Sequence, residues 1–229
     1  MPRTAALLAI LTVPALASVA LADFVTVDIT PNVNADLRQY TGGWAYPDGN
    51  QTLDFGGVPM QLAGYPTNGF GLGACQIPGD STPTSFSFAV DIEGATTLYT
   101  LCNSAWGTYG AWNGTIEVFG SNGAHASFDL VQGWNIRDHY AFGGFNGIVD
   151  DPTIFTTSYD SGVRLDRQTF DLGTAFLGER IVELRFSGAG NSSVGAAFLA
   201  GATFATIPAP GACALLACAA CVRPARRRR

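Results

Sequence analysis

Between Asp23 and Ala205 the chain has no sustained apolar period of 3.6 residues; short segments place their large apolar side chains on every second position. A period of two describes a strand with one face buried and one in water, and it gives a helix no continuous apolar stripe. In Ser85-Phe86-Ser87-Phe88-Ala89-Val90-Asp91-Ile92 the alternation runs through the whole segment. From Arg180 to Phe186, Val182, Leu184 and Phe186 are expected to face inward, with Glu183 and Arg185 in water. Thr115 to Phe119 and Ala126 to Val131 read the same way. Between them stand the turn clusters Pro47-Asp48-Gly49-Asn50, Gly56-Gly57, Gly120-Ser121-Asn122-Gly123 and Gly188-Ala189-Gly190-Asn191. Strands at this spacing predict an all-β fold, an antiparallel β-sandwich. The clearest hairpin joins Ile116–Gly120 to Ala124–Leu130 through an Asn-Gly turn. With 15 Phe, 7 Tyr and 4 Trp there is apolar bulk for one core, and no repeat or linker interrupts residues 23–205.

The two ends are of different composition. Residues 1–22 read as a secretory signal peptide: Arg3, an apolar run from Ala5 to Ala17, and small residues at Ala20 and Ala22 ahead of Asp23. Export machinery and signal peptidase are the partners this implies. Residues 206–229 run through Pro208-Ala209-Pro210, an uncharged stretch from Ala212 to Val222, and a basic end with Arg226, Arg227, Arg228 and Arg229. Eleven apolar residues reach only about 17 Å as a helix, so flanking arginines would have to snorkel for the tail to serve as a membrane anchor. The order of Pro-x-Pro, apolar segment and basic terminus resembles the PEP-CTERM sorting signal, with Ala209 where Glu is usual. That resemblance implies an exported bacterial protein, an exosortase-type sorting enzyme as partner, and retention at the envelope or release into extracellular polysaccharide.

Charge narrows the functions open to the body. Six Arg and all 18 carboxylates lie between Asp23 and Ala205, leaving that stretch at −12. Such a surface repels phosphate backbones and argues against nucleic acid as a partner. Five Cys fall into two groups. Cys75 and Cys102 lie in the body, where an oxidising compartment permits a disulfide and burial as two thiols is equally compatible. Cys213, Cys218 and Cys221 lie in the apolar tail, with no His near enough to complete a zinc site.

Over residues 50–140 the succession Phe55-Gly56-Gly57-Val58-Pro59-Met60, Thr97-Leu98-Tyr99-Thr100-Leu101, Ala105-Trp106, Gly114 to Phe119 and Gly133-Trp134-Asn135-Ile136-Arg137-Asp138 resembles the galactose-binding-like jelly-roll modules attached to glycoside hydrolases. Met60 stands where those modules have Phe, and Cys102-Asn103 where Leu-His-type residues are common. The resemblance implies a jelly-roll-like sandwich and non-catalytic carbohydrate binding.

Arg137-Asp138-His139 is the densest polar cluster. It can grip vicinal sugar hydroxyls, or lock its own loop by pairing with a carboxylate. Trp44, Trp106, Trp112 and Trp134 all stand beside Gly or turn residues. Trp106 is expected to pack between the sheets, whereas Trp112 and Trp134 are the surface candidates for stacking on a sugar ring. Asp150-Asp151 and Asp48-Gly49-Asn50 offer oxygens that suit Ca²⁺, the one cofactor considered, or are simply solvated loop carboxylates. No Gly-x-Ser-x-Gly elbow or His-Glu-x-x-His motif is present, and His125 and His139 are the only imidazoles. The expectation is a non-catalytic binding protein rather than an enzyme. The alternatives are a structural or adhesive matrix protein with no small ligand and, further off, a secreted hydrolase.

Overall fold

The computed structural model describes residues 22–41, 45–67, 69–141, 153–191 and 193–207. Ala20, Trp44, Asp150, Asp151, Pro208, Ala209, Pro210, Cys213, Cys218, Cys221, Arg226, Arg227, Arg228 and Arg229 lie outside these residues. The described chain is all β. Its strands are β1 (Asp23–Thr26), β2 (Ala35–Asp36), β3 (Gln51–Asp54), β4 (Pro59–Leu62), β5 (Gly73–Gln76), β6 (Thr84–Glu93) and β7 (Ala95–Ala105). Then follow β8 (Trp112–Gly120), β9 (His125–Val131), β10 (Phe155–Ser158), β11 (Arg164–Asp171), β12 (Arg180–Gly188) and β13 (Ala196–Thr206). Among the described residues the only helical pieces are 3₁₀ turns, and no helix is long and apolar enough to cross a membrane.

A seven-stranded sheet has the order β10-β11-β7-β13-β5-β2, with β1 added to the free stretch of β13 beyond β5. A four-stranded sheet has the order β6-β12-β8-β9, and β3 and β4 form a separate hairpin. Every ladder is antiparallel. The chain shuttles between the sheets, and Gly94 alone separates β6 in one from β7 in the other. Its φ of +66° is a left-handed conformation that favours glycine.

The predicted hairpin is present: β8 and β9 pair from Trp112↔Val131 to Phe119↔His125, and Gly123 takes the positive φ in the turn. The four-stranded sheet has the expected alternation. Phe86, Phe88, Ile92, Ile116, Val118, Leu184 and Phe186 are buried beneath it, while Ser85, Ser87, Ser127 and Asp129 are exposed on its other face. One position differs from the sequence reading. Val182 is exposed and Ile181 is buried in its place, because a register shift between Ile181 and Glu183 reverses the phase of β12 there.

Two apolar cores form, one on each face of the large sheet. The core between the sheets holds Phe88, Leu98, Ile116, Phe186, Leu199 and Phe204 among others. The second, under the β3–β4 hairpin and residues 45–67 and 69–74, includes Tyr46, Phe55, Met60, Leu62, Leu165 and Phe198. β13 is buried along its whole length. A bulge between Leu199 and Gly201 changes its phase, so Ala197 and Leu199 before the bulge face the same core as Ala202 and Phe204 after it.

Cys75 and Cys102 are free, buried thiols rather than a disulfide. Both stand opposite Leu199, one on each side of β13. Two strand spacings put their Cα atoms about 10 Å apart, beyond the reach of a disulfide without backbone movement. Burial pushes each thiol up to about 12.

Candidate functional site

Three loops meet at one end of the sandwich: residues 106–111 between β7 and β8, residues 132–136 after β9, and residues 189–191 and 193–195 before β13. Gln132 joins the first two. Its backbone N–H donates to the Ala111 carbonyl at 2.8 Å, its carbonyl accepts from Gly110 at 2.9 Å, and its side-chain amide donates to the Trp106 carbonyl at 3.3 Å. Gln132 Oε1 also accepts from Ser104 Oγ and Asn113 Nδ2, both at 2.9 Å. The Thr108 hydroxyl donates to the Ser193 carbonyl at 2.6 Å and ties in the third loop. A buried amide used in this way fixes loop backbones that no ladder holds.

This framework carries four exposed aromatics: Trp106, Tyr109, Trp112 and Trp134. The surface positions expected for Trp112 and Trp134 agree with the structure, and Trp134 is 60 % exposed. Trp106 corrects the sequence reading: it is 56 % exposed and does not pack between the sheets. Its φ is +62° and Gly107 follows at +131°, so the backbone turns out of β7 at this residue and takes the ring away from the core. Tyr109 went unread in the sequence; its signal is the adjoining Gly110, with a φ of +79°.

Trp112 borders an open groove of about 440 Å³ with Pro83, Thr84, Ser85, Ser187, Gly188 and Ala189. The indole N–H points to Thr115 Oγ1 and Asp129 Oδ1, each at 3.2 Å. Thr115 Oγ1 in turn donates to Asp129 Oδ1 at 3.1 Å. These contacts hold the indole by its polar edge and leave a ring face for the groove.

Arg137, Asp138 and His139 are arranged as the loop lock, each engaged with partners inside the fold. Arg137 forms a bidentate pair with Asp166, Nε to Oδ2 at 2.7 Å and Nη2 to Oδ1 at 2.9 Å. Asp166 also accepts from Thr156 Oγ1 at 2.7 Å and Asn103 Nδ2 at 2.8 Å. Its carboxylate is thus satisfied from four directions and is fully buried. Asp138 is 2 % exposed and accepts the Tyr140 N–H at 2.8 Å. Burial holds its carboxyl above the usual range, against the pull of that hydrogen bond and of Arg164. His139 is 4 % exposed, with Nδ1 2.6 Å from the Tyr46 hydroxyl and the two rings stacked. Burial, with Arg164 nearby, lowers its pKa to about 4 and keeps the ring neutral at pH 7. Arg164 closes the cluster by donating twice to the Asp138 carbonyl, at 2.8 and 3.1 Å. Asp166, Asn103 and Tyr46 are spread along the chain, so nothing local in the sequence links them to the triplet.

Asp48, whose carboxylate suits Ca²⁺ by type, is paired with Arg38 at 2.8 Å. Among the described residues no three His, Cys, Asp or Glu side chains form a group able to hold a metal ion. No protein-family model matches this chain, and no curated protein matches it.

Proposed function

We propose that the chain is an exported, non-catalytic carbohydrate-binding protein whose body is a jelly-roll-like, galactose-binding-like sandwich. In this reading residues 1–22 direct export, and residues 206–229 direct sorting by an exosortase-type enzyme, at the envelope or into extracellular polysaccharide. The observation that carries the binding function is the set of exposed rings at Trp106, Tyr109 and Trp134 on hydrogen-bonded loops and at Trp112 where β8 begins. Large apolar rings exposed together need a reason. Flat rings stack on the C–H faces of sugars, and a stiff framework lowers the ordering cost of doing so. The shuttling of strands between two antiparallel sheets supports the jelly-roll reading.

Co-sedimentation with insoluble polysaccharides tests this function. The purified protein is expected in the pellet with at least one of cellulose, chitin or mannan. The Trp112→Ala/Trp134→Ala double variant is expected in the supernatant with an unchanged circular dichroism spectrum. A folded protein retained on none of a broad panel of glycans overturns the proposal.

A further inference from the structure

Along β8 the apolar side chains that enter the core are Ile116 and Val118, with Gly114 in the same phase two residues earlier. Regular alternation would send Trp112 into the same core. It does not, because the ladder with β9 shifts register between Trp112 and Gly114. The extra residue, Asn113, turns its side chain into the buried Gln132 amide cluster. Trp112 is thereby re-aimed onto the outer face of the four-stranded sheet, where Thr115 and Asp129 hold its indole N–H. Bulges that re-aim one side chain at a sheet rim are characteristic of functional positions.

The face that receives Trp112 has a definite chemistry. Ser85, Ser187, Thr115 and Asp129 form one row across β6, β12, β8 and β9. The row behind it is Ser87, Arg185, Glu117 and Ser127. Arg185 is committed there: Nη2 lies 2.9 Å from Glu183 and Nη1 3.8 Å from Glu117, and its guanidinium covers the Phe119 ring at 4.4 Å. The groove lining contains no charged side chain. On the same face stand Asp129 in the first row, Glu117 in the second and Glu183 beyond it, with Arg185 paired to both glutamates. Gly188 lines the groove, and there the β8 and β12 backbones approach closely at two glycines. A Cβ on Gly188 would lie 2.7 Å from the Asn113 carbonyl oxygen, and one on Gly114 2.6 Å from that of Ser187.

We infer that the Trp112 groove on the outer face of the four-stranded sheet is a subsite for an uncharged glycan. It stacks one pyranose on the indole and meets the sugar hydroxyls with Ser85 and Ser187. This inference rests on the carbohydrate-binding reading and adds to it a place and a ligand class. The uncharged lining suits polyhydroxylic ligands, and the acidic rim repels uronate and sulfate groups.

Affinity electrophoresis of the full chain tests it, with hydroxyethylcellulose, galactomannan and xyloglucan as neutral probes and polygalacturonate as the acidic one. The expected result is retardation by a neutral polymer. Trp112→Ala should weaken it about tenfold or more, Trp112→Phe should restore part of it, and Trp134→Ala should leave most of it intact. Retardation lost on Trp134→Ala but kept on Trp112→Ala overturns this subsite while leaving the carbohydrate reading standing. Retardation by polygalacturonate alone overturns the ligand class. Retention on no polymer overturns both, and a dimer that dissociates on Trp112→Ala would assign the groove to a second copy of the chain.

Discussion

Asp166 shows how much one buried carboxylate can organise. It has no exposure, and the β11 strand that carries it lies beside β7, whose Asn103 donates to it. Removing one partner of a buried ion pair leaves the other charge uncompensated, which costs about 3–5 kcal/mol. Asp166→Ala is therefore expected to lower the urea midpoint severely, and Thr156→Ala to have a much smaller effect. A shallow loss in the Asp166 variant would show that water reaches the pair. His139 makes a separate prediction. Its folded pKa of about 4 lies below the unfolded value of about 6.5, so between these pH values the unfolded chain binds the proton and the folded chain does not. Stability is then full above pH 6.5 and falls as the pH drops towards 4, by about 3 kcal/mol from this residue. Asp138, held above the ordinary carboxylate range, acts in the opposite sense at the acid end. Denaturation midpoints across pH 4–7 should show the slope, and His139→Gln should flatten it. The polar triplet was visible in the sequence as a cluster. The loop-lock reading was legible there too, but the partners were not, because Asp166, Tyr46 and Arg164 are brought to the triplet only by the folded chain.

Strands exposed on one face announced themselves and strands buried on both did not. β6, β8, β9 and β12 form the outer sheet, and their alternation is the period-two signal in the sequence. β13, Ala-Ala-Phe-Leu-Ala-Gly-Ala-Thr-Phe-Ala-Thr, is central and wholly buried, so no polar alternation marks it. Bulges were equally hidden, and they decide which way Val182, Trp112 and Phe204 point. The close approach of β8 and β12 can be tested. Gly188→Ala would force its methyl against the Asn113 carbonyl oxygen at 2.7 Å and the Gly114 Cα at 3.0 Å. Backbone on both sides cannot yield cheaply, so a loss of about 1–3 kcal/mol is expected. Gly79→Ala, whose methyl would meet only the Ala196 Cβ at 3.9 Å, should be close to neutral and serves as the control. The separation of Cys75 and Cys102 by β13 makes a further prediction at the same scale. In a chain lacking residues 208–229, intact mass should not change on reduction, and both thiols should alkylate only after denaturation.

The whole chain divides its charge between parts with different proposed tasks. The body holds every carboxylate and stands at −12, whereas five arginines lie in the last seven residues. An acidic body is repelled by the anionic surface of a membrane, so under the proposed function anchoring to the membrane itself falls to the tail. The fold makes that separable. β13 ends at Thr206, and the Ile207 N–H donates to the Gly94 carbonyl at 2.9 Å, closing the turn between β6 and β7. Deletion of residues 208–229 therefore keeps every described strand and this last hydrogen bond. The truncated protein is expected in the medium of the producing cells, beginning at Asp23 by mass and melting within a degree or two of the intact body. Cell association equal to that of the full chain would place the anchor in the sandwich itself. In that event the exposed ring at Trp112 is the first to replace, because retention by the body on cell-surface glycan would be lost with it, whereas retention by a tail would not.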